Sequence, residues 1–520
     1  MADITHDTAS ETMSVSEDPN LLERGQSNLP VNREKDEHEQ GSQDQQSPYP
    51  NEQWDWETDP DNPYNWPATR KAWQIAIVSS MAFTASFGTS VMTAAPEQLI
   101  HEFDVTTTQS ILPLSLYVFA LALGPVIGGP LSETIGRYYI FMIGVLIGAL
   151  FAIGCGTVQT FAGLCILRFL SGLFFAPTLA ISGGTLNEIY KPEHRGIPST
   201  FFITTPLLGP GFGYKCADCH PRSPVIGGFV THRKGWRWTQ WTIIFFSIFS
   251  LLLGLLFGRE TFHPILKKRK AKRLGQPIPP PPPLRMRLKL FMTVALFRPL
   301  FMLAIEPITT LFCLYSALEF ATLFSFFAAI PYVFQEVYQF SMEQVGLVFI
   351  SIIIGCVLGA ITLILCNKYF YLPQVAKYPP HQVPPEHRLY AAMIGSIGLP
   401  LGLFWFGWTS KSDISWASPA VAIIPFTWGN LCLFTGSLQY LIDTYQGITI
   451  ASAVSANSLA RYILSGAFPL FTTQMYRNLG IGWASSLLGF FAVALLPVPW
   501  IFFKFGKLIR SKSRYEASKF

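Results

Sequence analysis

Twelve apolar runs dominate the chain, six on either side of a basic, proline-rich stretch at 259–299. They lie at roughly 72–95, 110–131, 138–158, 162–186, 197–230, 238–258, 300–331, 343–366, 390–409, 418–442, 449–473 and 481–503. A hydrocarbon layer about 30 Å thick takes roughly 20 residues of helix to cross, and these runs approach or exceed that length. Lipid offers no hydrogen-bond partners, so each run has to satisfy its own backbone as a helix. The pattern predicts an all-α membrane protein of twelve transmembrane helices in two pseudo-symmetric six-helix bundles, at 72–258 and 300–503.

Half of the 520 residues are hydrophobic and 13% are charged, with a mean hydropathy of +0.33, which excludes an ordinary soluble protein. Residues 1–71 differ from the rest: Ser, Gln, Glu and Asp abound, and the expectation is a disordered tail. No basic segment followed by a short apolar core opens the sequence, so no cleavable signal is expected. With the N-terminus inside, the inward loops and the tail at 504–520 carry 23 Lys and Arg, against 5 in the outward loops. That asymmetry places both termini and the central linker in the cytoplasm, with the plasma membrane expected and a vacuolar membrane the alternative. The run at 267–273 could also hold anionic lipid, and 276–283 is a stiff polyproline spacer. Basic residues beside spans do not imply nucleic acid, and the scattered cysteines imply no disulfide framework.

A faint repeat links the halves: Gln109 and Gln344 each enter a span, and Gly124 and Gly359 follow fifteen residues later. Gly124 with Gly128, and Gly144 with Gly148, have a spacing that lets helices approach closely. Between spans two and three, GPLSETIGRYY at 129–139 needs Gly129 and Gly136 for backbone freedom, while Glu133 and Arg137 can pair across the turn or cap neighbouring helices. Span five is interrupted by YKCADCHPRS at 214–223; without those ten residues, Gly209, Pro210 and Gly213 run directly into Pro224, Gly227 and Gly228. The interruption reads as a misread splice boundary or a bulge that impairs function. Its CxxCH spacing suggests haem or zinc, but no second ligand pair is in view, so neither a cofactor nor a metal is expected.

Charges within spans are costly and tend to be functional. Arg168 is the leading candidate for an ion or proton pathway, the alternatives being a structural salt bridge or a hydrogen bond to a kinked helix. Glu319, at mid-span, could carry a proton or meet a cationic substrate, or pair with Arg461 or a neighbouring serine. Glu306 lies thirteen residues from Glu319, too far to share its job, and could cap or snorkel. Glu188 and Asp443 sit at span ends, where solvated loop roles are expected. Some of the abundant aromatic residues could line a stackable pocket.

The turn at 129–139 resembles the loop signature of the major facilitator superfamily, in particular its fungal drug:proton antiporter branch. This chain has Tyr138 where a second basic residue is usual. Further matches are DPDNPYNWP at 59–67, LRFLSG at 167–172, GWRWTQW at 235–241, Glu306-Pro307, and long segments at 326–341, 402–410 and 468–490. Arg168 and Arg461 fall on basic positions of the family, and the divided motif from Gly209 to Gly228 is similar to its fifth-helix antiporter signature. The resemblance, over about 55–510, implies a secondary transporter, expected as a monomer, that exports small organic molecules against proton entry. Polyamine export and a non-transporting sensor are the alternatives. An enzyme would show clustered histidines or paired acids, and an ATP-driven pump a GxxxxGK[ST] loop; neither pattern occurs.

Overall fold

The computed structural model describes residues 55–191, 194–212, 235–275, 297–379, 383–445 and 448–515, with single positions at 283, 285 and 293. The first half holds α1 (Ala68–Ser90), α2 (Thr107–Ile135), α3 (Arg137–Thr157), α4 (Phe161–Ile189), α5 (Gly196–Phe212) and α6 (Arg237–Phe257). The second holds α7 (Pro307–Glu336), α8 in two segments (Met342–Val348 and Ile350–Cys366), α9 (Tyr390–Thr409), α10 (Ala417–Thr444), α11 (Ile448–Leu479) and α12 (Ile481–Leu495), which runs on into Pro497–Ser511. Among the described residues there is no β-strand. Among the described residues, ten helices are long and apolar enough to cross a membrane. The other two expected spans are α5, described over 17 residues, and α11, whose polar residues include Arg461 and Arg477.

The ends of the helices follow from local chemistry. Thr106 accepts from the Gln109 amide while Gln109 answers to the Thr106 backbone, and Ser341 and Gln344 do the same at the start of α8. The two glutamines that marked a repeat are therefore matching capping boxes. The glycines fifteen residues on match too. Gly124 of α2 is set against Ala176 of α4, and Gly359 of α8 against Leu431 of α10. Across the two halves, α2 packs on α11 and α5 on α8.

Four sequence expectations change. The seventh run is two helices, Arg298–Ile305 and α7, because Pro307 drives Glu306 into an extended conformation, φ −91° and ψ 108°. The last helix continues to Ser511, so 504–511 is not a tail. Residues 55–67, expected to be disordered, form a knot: Asn62 caps the short helix Pro63–Asn65, and the Asn65 side-chain amide donates to the carbonyls of Glu57 and Asp59. The linker also contains a helix, His263–Arg273, on which Lys270 binds Asp59 and Asp61 of that knot at 3.2 and 2.8 Å. The interruption at 214–223, with Gly213, Pro224, Gly227 and Gly228, lies outside the described residues, as do 1–54 and most of 276–296.

Candidate functional site

A cavity of about 350 Å³ lies between the halves. It runs from Arg461 and Tyr462, near the middle of α11, to the end of the bundle marked by Glu133, Arg137 and Glu188, the basic end. Leu121 and Pro125 of α2, Leu179 of α4, and Phe202 and Leu207 of α5 give one wall an apolar surface; Phe320, Phe324 and Phe434 of α7 and α10 face it. A second cavity of about 290 Å³ opens toward the far end, between Met92, Leu114, Phe327 and Tyr332. Aromatic side chains lie between the two. Phe324 lines one and Phe327 the other, their rings 5.1 Å apart, and Phe119 of α2 abuts Gly466 of α11.

Of the four membrane charges singled out from sequence, the cavity reaches one. Arg461 is 7% exposed, and its guanidinium carbon lies 4.5 Å from the ring centroids of Phe320, Phe434 and Tyr462. Glu319 is buried behind it and does not line the cavity. Arg461 acts on it electrostatically, but among the described residues the two do not form an ion pair. The Glu319 carbonyl accepts from Asn430, while its Oε1 has no hydrogen-bond partner. Arg168 is fully buried inside the first half, does not line the cavity, and donates to the Gly88 carbonyl at 2.6 Å and to Gln240 Oε1 at 3.5 Å. Its guanidinium lies 4.3 Å from the Tyr117 ring, and no carboxylate among the described residues pairs with it. Glu306 is buried at the basic end, where Oε2 accepts from the Arg514 backbone at 3.3 Å.

At the basic end the turn is tied differently from either sequence expectation. Arg137 does not pair with Glu133, which is exposed at the cavity mouth; it meets Glu188 of α4 at 3.0 Å and donates to Ser132 Oγ at 2.6 Å. The backbone amides of Arg137 and Tyr138 donate to the two oxygens of Glu260, at 2.9 and 3.4 Å, which caps α3. Gly136 sits at φ +117°, and a side chain there would run into that carboxylate. Gly129 lines the cavity with open space about it. In the second half Arg388, just before α9, meets Asp443 at the end of α10 at 2.6 Å, the counterpart of Arg137 and Glu188. Asp443 also binds Arg195 of the first half at 2.9 Å. In α5, a side chain at Gly209 would lie 2.9 Å from the Phe87 backbone nitrogen, so α5 and α1 touch backbone to backbone.

Residues 76–469 match the model of the Major Facilitator Superfamily. The chain belongs to this superfamily. It is 39% identical to the MFS-type transporter traF of Penicillium crustosum, covering 89% of this chain and 93% of that one. It is 33% identical to Polyamine transporter 4 of Saccharomyces cerevisiae (89% and 72%) and 36% identical to the citrinin biosynthesis cluster MFS transporter mrr1 of Monascus ruber (89% and 92%). The solved structure of the proton:xylose symporter XylE shares its fold, with a TM-score of 0.59 at 14% identity over 87% of this chain and 98% of that one. The protein is a multi-pass membrane transporter.

Sequence reasoning missed Glu188, Glu260 and Asp443 as structural partners, reading the first and last as solvated. For this superfamily member a signal was available: each of Glu188 and Asp443 ends a long apolar run, where an acid without a cation would be expensive. Glu260 carried no such mark, because it caps a helix more than 120 residues earlier in the chain.

Proposed function

We propose that this chain exports a small hydrophobic or amphipathic organic compound, of the drug, toxin or secondary-metabolite kind, by alternating access and against proton entry. The observation that carries the reading is the pair of cavities of about 350 and 290 Å³, one lined by Phe324 and the other by Phe327, whose rings are 5.1 Å apart, with apolar and aromatic side chains prominent in both walls. Such a pair is what rocking of two halves about a central site requires. The name of the Monascus relative, a transporter of a biosynthesis cluster, supports an exported metabolite. In this reading the basic end faces the cytoplasm, since Lys and Arg concentrate there, and the transporter works as a monomer in contact with lipid. Glu319 is the carboxyl proposed to carry the proton, and the turn of Gly129, Glu133, Gly136 and Arg137 the gate.

Expression in a yeast lacking its own exporters, challenged with a panel of toxic amphipathic compounds, tests this. The expected outcome is resistance and lower accumulation of at least one compound, abolished by a protonophore. Resistance that survives collapse of the proton gradient overturns the coupling, and unchanged accumulation across the panel overturns export.

A further inference from the structure

A cation held at the middle of a membrane bundle needs a compensating group, and Arg461 has an incomplete set. Three rings surround its guanidinium at 4.5 Å, which offsets part of the loss of water through the negative faces of the aromatic systems. Its Nε has no hydrogen-bond partner, and no carboxylate among the described residues lies within ion-pair distance. The residue is 7% exposed and lines the cavity, so part of the guanidinium borders that space while Nε is closed off from it.

The surroundings narrow the occupant. The other charged residues on the cavity wall are Glu133, Arg137 and Glu188, all at the basic end, where Arg137 and Glu188 neutralise each other. In the deep part of the cavity, Arg461 is therefore the charged lining group among the described residues. Asn457, one helical turn before it on the same face, and Ser458 add polar edges; Asn457 is held in place by donating to Ser316 at 3.1 Å. Opposite stands the apolar wall of α2, α4 and α5. One fixed positive fork, aromatic flanks and an apolar far side suit a flat apolar body carrying one negative group, because guanidinium pairs with carboxylate through two parallel hydrogen bonds. A polycation entering the same space would meet a like charge.

We infer that Arg461, with Phe320, Phe434 and Tyr462 around it, binds the negative charge of an amphipathic organic anion such as an aromatic carboxylate. The inference rests on reading the cavity as the substrate site, and names the charge that the site selects. It is tested with three probes of one shape: 1-naphthoate, 1-naphthalenemethanol and 1-naphthylmethylammonium, titrated calorimetrically into the purified full-length chain. Naphthoate is expected to bind about tenfold more tightly than the alcohol, and the ammonium more weakly than both. Arg461→Gln is expected to bring naphthoate down to the level of the alcohol while leaving the alcohol unchanged; Arg461→Lys, with a point charge and no fork, keeps part of the preference. Equal binding of the three probes, a preference for the ammonium, no binding of naphthoate, or a preference that survives Arg461→Gln overturns the inference. If Arg461→Gln does not fold, as judged by size exclusion, the wild-type ranking and Arg461→Lys decide. Export of the same probes from cells is measured separately, so anion-selective binding without export refutes the transport reading alone, and export indifferent to charge refutes the inference alone.

Discussion

At Gly136 a single missing side chain holds the turn between α2 and α3 together. The residue adopts φ +117°, which L side chains rarely tolerate, and the space a methyl group would fill belongs to the Glu260 carboxylate that caps α3. Gly136→Ala is expected to cost about 1–3 kcal/mol in backbone strain, with a further loss from the displaced cap. Unfolding followed by thiol-reactive dye or light scattering on the purified protein should show earlier melting. Adding Glu260→Ala to Gly136→Ala is expected to cost less than the sum of the two single changes, since the first has already evicted the cap; strict additivity would mean that the two groups do not meet. A similar argument governs Arg137. Its partner Glu188 lies 51 residues away, so spacing along the sequence could only suggest Glu133, four residues back. The chemistry of the turn was legible in the sequence, while the identity of the partner awaited the fold.

Whole helices were easier to read than their partners, because in lipid the backbone has no other way to satisfy itself and hydropathy becomes nearly sufficient. The knot at 55–67 was illegible for the opposite reason: it is polar, short and rich in Asp, Asn and Pro, the composition of a disordered tail. Its order comes from side-chain to backbone bonds and from docking on distant elements, with Tyr64 donating to the Asn187 carbonyl and Lys71 to the Tyr64 carbonyl. His263 ties the knot to α4. Its Nδ1 accepts from Trp56 Nε1 at 3.2 Å, and its Nε2 then donates to the Glu188 carbonyl at 2.8 Å, which fixes the neutral tautomer. Burial, aided by the charge of Lys267, moves the His263 pKa below its usual value. Because the folded pKa is the lower one, the contribution of this contact is complete above the unfolded value of about 6.5 and declines as the pH falls below it, where protonated Nδ1 can no longer accept from Trp56. Limited proteolysis of the knot should accelerate as the pH is lowered below about 6.5, and His263→Gln should flatten that dependence. A cleavage rate indifferent to pH in the wild-type chain would show that His263 does not hold the knot.

Across the molecule, the two halves are tied at both ends, so neither end can part further without breaking a contact between them. At the basic end Arg195 of the first half binds Asp443 of the second, while Arg388 holds Asp443 from within its own half. At the far end Gln474 of α11 donates to Thr108 of α2 at 3.0 Å. The alternating access proposed above would release these ties in turn, so that their relative strengths bias the equilibrium between the two openings. Arg195→Gln removes the charge that crosses the gap and leaves the Arg388–Asp443 pair to neutralise the acid, so its effect falls on opening and spares the fold of either half. The pair is partly exposed, with side chains 12% and 21% accessible, and such a bridge is worth about 1 kcal/mol, a shift of about fivefold in the population open at the basic end. Gly183 lines the cavity with nothing within 4 Å of where its side chain would project, which makes Gly183→Cys a tolerated reporter. In membranes exposing the basic end, a bulky impermeant maleimide should label that cysteine several times faster in the Arg195→Gln background than in its parent. High salt should narrow the difference, because screening weakens the parent's bridge and has no cross-gap charge pair left to weaken in the variant. Equal labelling rates at low salt would mean that the bridge does not restrain opening, and that the bias between the two states resides in the aromatic contacts of Phe119, Phe324 and Phe327 instead.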